Sequence, residues 1–425
     1  MRLIRILWKS NIVRIFTTVV LILSLSSRMA RATDEPPLRV VKLRWGDLVT
    51  LVEDHPSIKA ATHRVEAASN GMKASGQVPN PELMTSFAYA EARDSDNTAM
   101  EWSLSLSIPF HWTVSRGAAI RSGEAHLAIT EAERNALRCS ILLSLGDLFW
   151  QLVYEQERLL ALKALEEQTF ALARIVRKRI ENGEARPVEE TKLDLEREQL
   201  AHELDTARWA TTASRQKMSL WLNPKTDIEL EAIADLTALP TPIDNHQARK
   251  LALTSHPNLS IARARTAVST AELELEKRNR FPSFSVEAFT DHELDRRAYG
   301  GGITMDFPVF NWRRHSIRKR ENNVAAEKLQ YLSDSMEVEF TIIETHASCQ
   351  SGRQVAQRYK EKILPLARSS AATIQRTYEL GEATLLEVVD ARRVLLEMQM
   401  EYLSTLAQTQ TVCHHLSILV GEELP

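Results

Sequence analysis

The chain has 425 residues, with 53 basic and 56 acidic side chains and a formal charge of −3, and only 13 glycines and 15 prolines punctuate it. Gly and Pro at roughly half their usual share exclude folds made of many short elements and tight βα turns, which removes the dinucleotide-binding and βα-barrel enzymes. A slightly acidic balance is equally unsuited to holding nucleic acid.

Residues 1–32 read as a secretory signal. Arg2, Arg5, Lys9 and Arg14 form the basic start, Ile15 to Leu25 the apolar centre, and Ala30-Arg31-Ala32 the cleavage site. A retained membrane anchor is the alternative. Removal of the leader leaves 47 basic against 56 acidic residues, a mature charge of −9. Thr33 rather than Cys follows the site, so no N-terminal lipid anchor is expected. No later run of ~18 apolar residues predicts a transmembrane helix. Cys139, Cys349 and Cys413 are odd in number and far apart, which predicts neither a disulfide framework nor a zinc site.

The sequence is internally duplicated. His55-Pro56 recurs as His256-Pro257, Pro81 as Pro282, Ile108-Pro109 as Phe307-Pro308, and Gly183-Glu184-Ala185 as Gly381-Glu382-Ala383, at offsets of 201, 201, 199 and 198. This divides the mature chain into a first repeat over 33–222, a Pro-rich linker over 223–242 and a second repeat over 243–425. Each repeat has a short helix up to the His-Pro pair, an Ala-rich helix, two strands, and two long helices meeting at the Gly-Glu-Ala turn. Strands are predicted at Leu83 to Glu91, Met100 to Phe110, Ser283 to Thr290 and Tyr299 to Phe307. The second is clearest, since Trp102, Leu104, Leu106 and Ile108 alternate with Ser103, Ser105 and Ser107. Each has the length of a tilted strand crossing a bilayer.

The helical hairpins are predicted over about 113–222 and 311–420. Thr113 to Ile180 alone would span ~100 Å at 1.5 Å per residue. Packing seams at alternating spacings of four and three run through Leu200, Leu204, Ala207, Thr211, Ser214, Met218 and Trp221. A second runs through Leu395, Met398, Tyr402, Thr405, Thr409, Val412, Leu416 and Leu419. Four strands cannot close a membrane barrel and would leave edges unsatisfied in lipid, so several chains must share one. The fold class is thus mainly α with a small β part.

No phosphate loop, H-E-x-x-H, G-x-S-x-G or C-x-x-C motif is present, so no catalytic residue, cofactor or metal site is predicted. His55 and His256 occupy equivalent helix ends, and His414 and His415 point to different faces. Gly300-Gly301-Gly302 fits a barrel strand or turn. Trp112 and Trp312 sit at equivalent strand-to-helix borders and suit a membrane-interface girdle. Arg313 and Arg314 open the basic run through Arg320, which opposes the helix dipole and so suits anionic headgroups, or else a solvated face. Glu387 and Asp390, three apart, share a helix face.

Two strands, a long hairpin, and the same again after a signal peptide resemble the TolC family of outer-membrane efflux factors. The resemblance covers about Trp45 to Gly421. Its most specific motif is Tyr378-Glu-Leu-Gly381-Glu-Ala-Thr-Leu-Leu-Glu387-Val-Val-Asp390-Ala-Arg392, with its partner Ile180-Glu-Asn-Gly183-Glu-Ala-Arg-Pro-Val-Glu189-Glu-Thr-Lys192. Pro79-Asn-Pro-Glu-Leu83 and Pro187-Val-Glu-Glu-Thr191 are similar to its heavy-metal (CzcC-like) branch. The resemblance implies a homotrimer with a twelve-stranded outer-membrane barrel on a helical periplasmic tunnel. It also implies a periplasmic adaptor, an inner-membrane efflux pump, and possible heavy-metal cargo. By the same resemblance Glu387 and Asp390 line the pore constriction, Glu189 and Tyr378 are gate contacts, and Gly183 and Gly381 mark the adaptor-contacting tips. The competing readings are a soluble periplasmic coiled-coil scaffold and a metal-binding periplasmic protein.

Overall fold

The computed structural model describes residues 40–91, 98–110, 112–222 and 229–421, so the proposed leader lies outside the described residues. The first half contains β1 (Val40–Leu43), α1 (Trp45–Leu51), α2 (Pro56–Ser75), β2 (Glu82–Glu91), β3 (Thr98–Pro109), α3 (Trp112–Glu181) and α4 (Pro187–Leu222). The second contains β4 (Glu229–Ala232), α5 (Asn245–Ser255), α6 (Pro257–Arg278), β5 (Phe284–His292) and β6 (Arg297–Met305). It continues with α7 (Arg314–Arg358), a π-helical turn at Tyr359–Ile363, α8 (Leu364–Glu379) and α9 (Leu385–Val420).

The duplication is visible atom by atom at the His-Pro pairs. Nδ1 of His55 accepts the backbone N–H of Ser57, and Nδ1 of His256 that of Asn258, each at 3.2 Å. Each histidine therefore caps a helix whose first residue is proline.

One antiparallel sheet has the order β2-β3-β5-β6. Its register puts Leu83, Leu106, Ala288 and Gly301 side by side on one face, and Glu82, Ser107, Glu287 and Gly302 on the other. The first face continues through Phe87, Trp102, Leu104, Ile108, Val286 and Ile303, all exposed in the single chain. The period-two expectation for β3 holds along its whole length.

Beneath the sheet the helices form two layers. The layer nearer the sheet runs α2-α3-α6-α7, and the distal layer α4-α3-α9-α8, so the continuous α3 belongs to both. Their junction is the main core, where Leu48, Val52, Leu145, Phe149, Leu152 and Met218 are fully buried. One window of α3 is apolar enough to cross a membrane. Contact with α2, α4, α6 and α9 accounts for that apolarity, because α3 is packed on several sides.

Four expectations need correction. Cys349 and Cys413 form a disulfide joining α7 to α9 with Cα atoms 5.0 Å apart; they are 64 residues apart in sequence, and only the antiparallel hairpin brings them together. The linker over 223–242 contains β4, which pairs parallel with β1 through Val41↔Leu230 and Leu43↔Ala232, a small two-stranded sheet additional to the four expected strands. The second helical hairpin is not two unbroken helices. Pro365 has no N–H to continue the α ladder, and just before it Leu364 N–H bonds the Tyr359 carbonyl in π spacing. Finally, the seam of α9 is shifted. The most buried row is Leu406, Gln410, Cys413, Leu416 and Val420, because α9 packs between α3 and α7 and presents more than one stripe.

Candidate functional site: the hairpin tips and the sheet-to-helix junctions

Both tips are built alike. Gly183 (φ 78°) and Gly381 (φ 84°) take the left-handed conformation that only glycine adopts without steric cost. Glu184 N–H bonds the Arg179 carbonyl at 2.8 Å, and Glu382 N–H bonds that of Thr377 at 3.0 Å, which closes each helix end.

The tips touch through Tyr378. Its hydroxyl donates to Oε2 of Glu189 at 3.2 Å, linking the end of α8 to the start of α4. The ring packs with Leu172, Val176, Leu193, Leu385 and Val388. Burial first, then the adjacent Glu189 charge, pushes the Tyr378 hydroxyl up to about 12. Arg179 was not anticipated. Its guanidinium lies 4.6 Å over the Tyr378 ring, bonds the Tyr378 carbonyl, and pairs with Glu184 at 3.7 Å. Arg392 likewise donates to the Gln168 carbonyl at 3.2 Å and to Gln375 Oε1 at 3.0 Å, tying α3, α8 and α9 together. Arg392 closes the tip motif in the sequence, whereas Arg179 has no sequence signature, since it acts across elements far apart in the chain.

Glu387 and Asp390 are both exposed near the start of α9. Glu387, however, forms a capping box: its Oε2 accepts Thr384 N–H at 2.7 Å, and Thr384 Oγ1 accepts Glu387 N–H at 3.4 Å. Those bonds to Thr384 hold its carboxyl below the usual value. The signature Thr384-Leu-Leu-Glu387 is legible in the sequence. Asp390 pairs with Arg393 at 2.6 Å.

The two junctions between sheet and long helix differ. Trp112 is half-buried, its Nε1 donates to the Pro109 carbonyl at 3.1 Å, and Phe110 stacks on Phe284 at 5.4 Å. Trp112 is thus anchored at the sheet-to-helix border by its own backbone. Arg313 pairs with Glu276 at 3.1 Å, so its charge is also spoken for. Trp312 and Arg314 are exposed.

The histidines are accounted for singly. His414 is buried against Trp45, with ring centroids 4.0 Å apart, and a Cβ at Gly146 would come 2.7 Å from it. His415 Nε2 lies 2.7 Å from Asp147 Oδ1. Among the described residues no three His, Cys, Asp or Glu side chains are arranged to hold a metal ion.

An amphipathic antiparallel sheet standing on a tall, duplicated helical body is the architecture of an outer-membrane channel subunit. The chain belongs to the outer membrane efflux protein family, which it matches over residues 48–216 and 248–422. It is 25% identical over 370 residues to the cobalt-zinc-cadmium resistance protein CzcC of Cupriavidus metallidurans, covering 86% of each chain. Its fold is similar to that of CusC (TM-score 0.75, 14% identity, 89% of this chain and 92% of the other). It is also similar to that of VceC from Vibrio cholerae (TM-score 0.71, 16% identity, 89% and 97%). The protein is thus an outer-membrane efflux component of a Gram-negative cell.

Proposed function

We propose that three copies of the chain close a passive duct, with a twelve-stranded barrel in the outer membrane and a helical tunnel below it. The observation that carries this reading is the sheet β2-β3-β5-β6, which has one apolar exposed face, one polar face, and two edges that the single chain leaves unpaired. Unpaired edges in lipid would leave backbone groups without partners, which further copies supply. The helical layers also end in apolar stripes: Leu329, Leu332, Met336 and Phe340 on α7, and Val188, Leu195 and Trp209 on α4, are exposed. A soluble scaffold would gain nothing from these faces.

The duct performs no chemistry, and energy comes from an inner-membrane pump through an adaptor that docks at the Gly183 and Gly381 tips. Glu387 and Asp390 ring the narrow end, and the Glu189–Tyr378 bond holds the tips closed. Heavy-metal cations are the proposed cargo. The similarity to the cobalt-zinc-cadmium resistance protein supports this, as do the inward-facing Glu82, Glu101, Glu287 and Asp291, on a strand face that carries no basic residue among those described. The test is a pair of substitutions. Leu104→Arg on the apolar face should cost ~2–4 kcal/mol and deplete the protein from outer-membrane fractions, whereas Ser105→Arg on the polar face should insert normally. Equal insertion of the two variants would refute the assignment of faces.

A further inference from the structure

The second sheet-to-helix junction differs from the first in what it leaves uncovered. Phe307, Val309, Phe310 and Trp312 are 70%, 65%, 100% and 58% exposed. They follow directly on the apolar row of β6, in which Ile303 and Met305 point away from the polar face. The chain turns out of this segment through Arg313, whose φ of 53° is the only positive value at a non-glycine among the described residues. Asn311 Oδ1 supports that turn by accepting Arg313 N–H at 3.0 Å.

The charge beside this wedge is uncompensated. Glu276 is taken by Arg313, Glu272 by Arg320, and Glu321 by Lys277 at 3.6 Å. Arg314, Arg318 and Lys319 are exposed and have no carboxylate partner among the described residues. They open α7, where the helix dipole disfavours cations, so helix stability does not explain them. At the first junction Phe110 is stacked, Trp112 is bonded inward, and Arg116 donates to the Gly76 carbonyl at 2.8 Å.

We infer that the second junction is an anionic-phospholipid docking surface: Val309, Phe310 and Trp312 insert into the inner leaflet of the outer membrane, and Arg314, Arg318 and Lys319 hold phosphate headgroups. This rests on the channel reading, since the wedge extends the lipid-facing row of the barrel. An exposed aromatic wedge beside unpaired cations matches a bilayer surface in both polarity and charge. Among the described residues the device occurs once per chain, because Phe110, Trp112 and Arg116 are engaged at the first junction.

The experiment uses the detergent-purified full-length protein titrated with brominated phosphatidylglycerol or brominated phosphatidylethanolamine, read by tryptophan fluorescence. The phosphatidylglycerol arm should quench a component that is missing in Trp312→Phe. The joint substitution Arg314→Ala, Arg318→Ala and Lys319→Ala should weaken that quenching by about 100-fold and flatten its salt dependence. If Trp312 in the wild-type protein is unquenched by either lipid, or is shielded from acrylamide before any lipid is added, a neighbouring copy covers the wedge and the inference fails. Equal quenching by both lipids removes the headgroup assignment. Planar-bilayer conductance of the same preparation separates the two levels: conducting protein that ignores the lipid overturns this inference alone, and non-conducting protein overturns the channel reading beneath it.

Discussion

The two halves of the molecule descend from one unit and have been stiffened differently. In the first, α3 runs unbroken from Trp112 to Glu181 and serves both helical layers. In the second, the matching path is α7, a π turn and α8, broken where Pro365 withholds a donor. The second half alone carries a disulfide, between Cys349 and Cys413, ten residues before the π turn. It also starts its return helix with a capping box, where the first starts with Pro187. Continuity supplies rigidity in one half, and in the other a covalent tie offsets the π turn that interrupts the α ladder.

The largest expected effect comes from the tie. Replacing Cys349 and Cys413 together by Ser should cost about 4 kcal/mol, the closure entropy of a loop of that length, visible as a lowered midpoint in denaturant. An unchanged midpoint would mean that the second half is as rigid as the first without its disulfide.

Next is His414, buried at the junction of the layers. Burial first, then the neighbouring His415, lowers its pKa from 6.5 to about 4. The fold accommodates the neutral ring, so this stability is complete above pH 6.5 and is lost as pH falls toward 4. The total is about 3 kcal/mol. His414→Leu should remove most of that acid dependence, whatever it does to stability at neutral pH, as followed by thermal unfolding across the range.

Smallest is the contact between the halves. Tyr378→Phe deletes one hydrogen bond to a carboxylate and should cost about 1–2 kcal/mol, read as faster amide exchange in both tips. Because the hydroxyl is pushed up to about 12, the contact should persist to pH 10 and weaken only above it. Exchange confined to the second tip would show that the halves are not coupled there.

These differences were unevenly legible in the sequence. Alternation from Trp102 to Ile108 announced a two-faced strand, and the paired Gly-Glu-Ala turns announced two hairpins, because local periodicity dictates both. β1 and β4 are four residues each, and their pairing spans the entire first repeat, so no local pattern marks them. The disulfide and the Arg179–Tyr378 stack depend on which helices lie side by side, which is set only by tertiary packing. Pro365 and the capping box could have been read locally, and both lie in the half where the backbone departs from its copy.

Whether this chain forms a membrane pore is tested most directly by single-channel recording of the purified protein in planar bilayers. Discrete conductance steps with a reversal potential favouring cations are expected, with a reduced preference in the Glu387→Gln, Asp390→Asn variant. Intact, correctly folded trimers that insert into the bilayer and pass no current would contradict the pore.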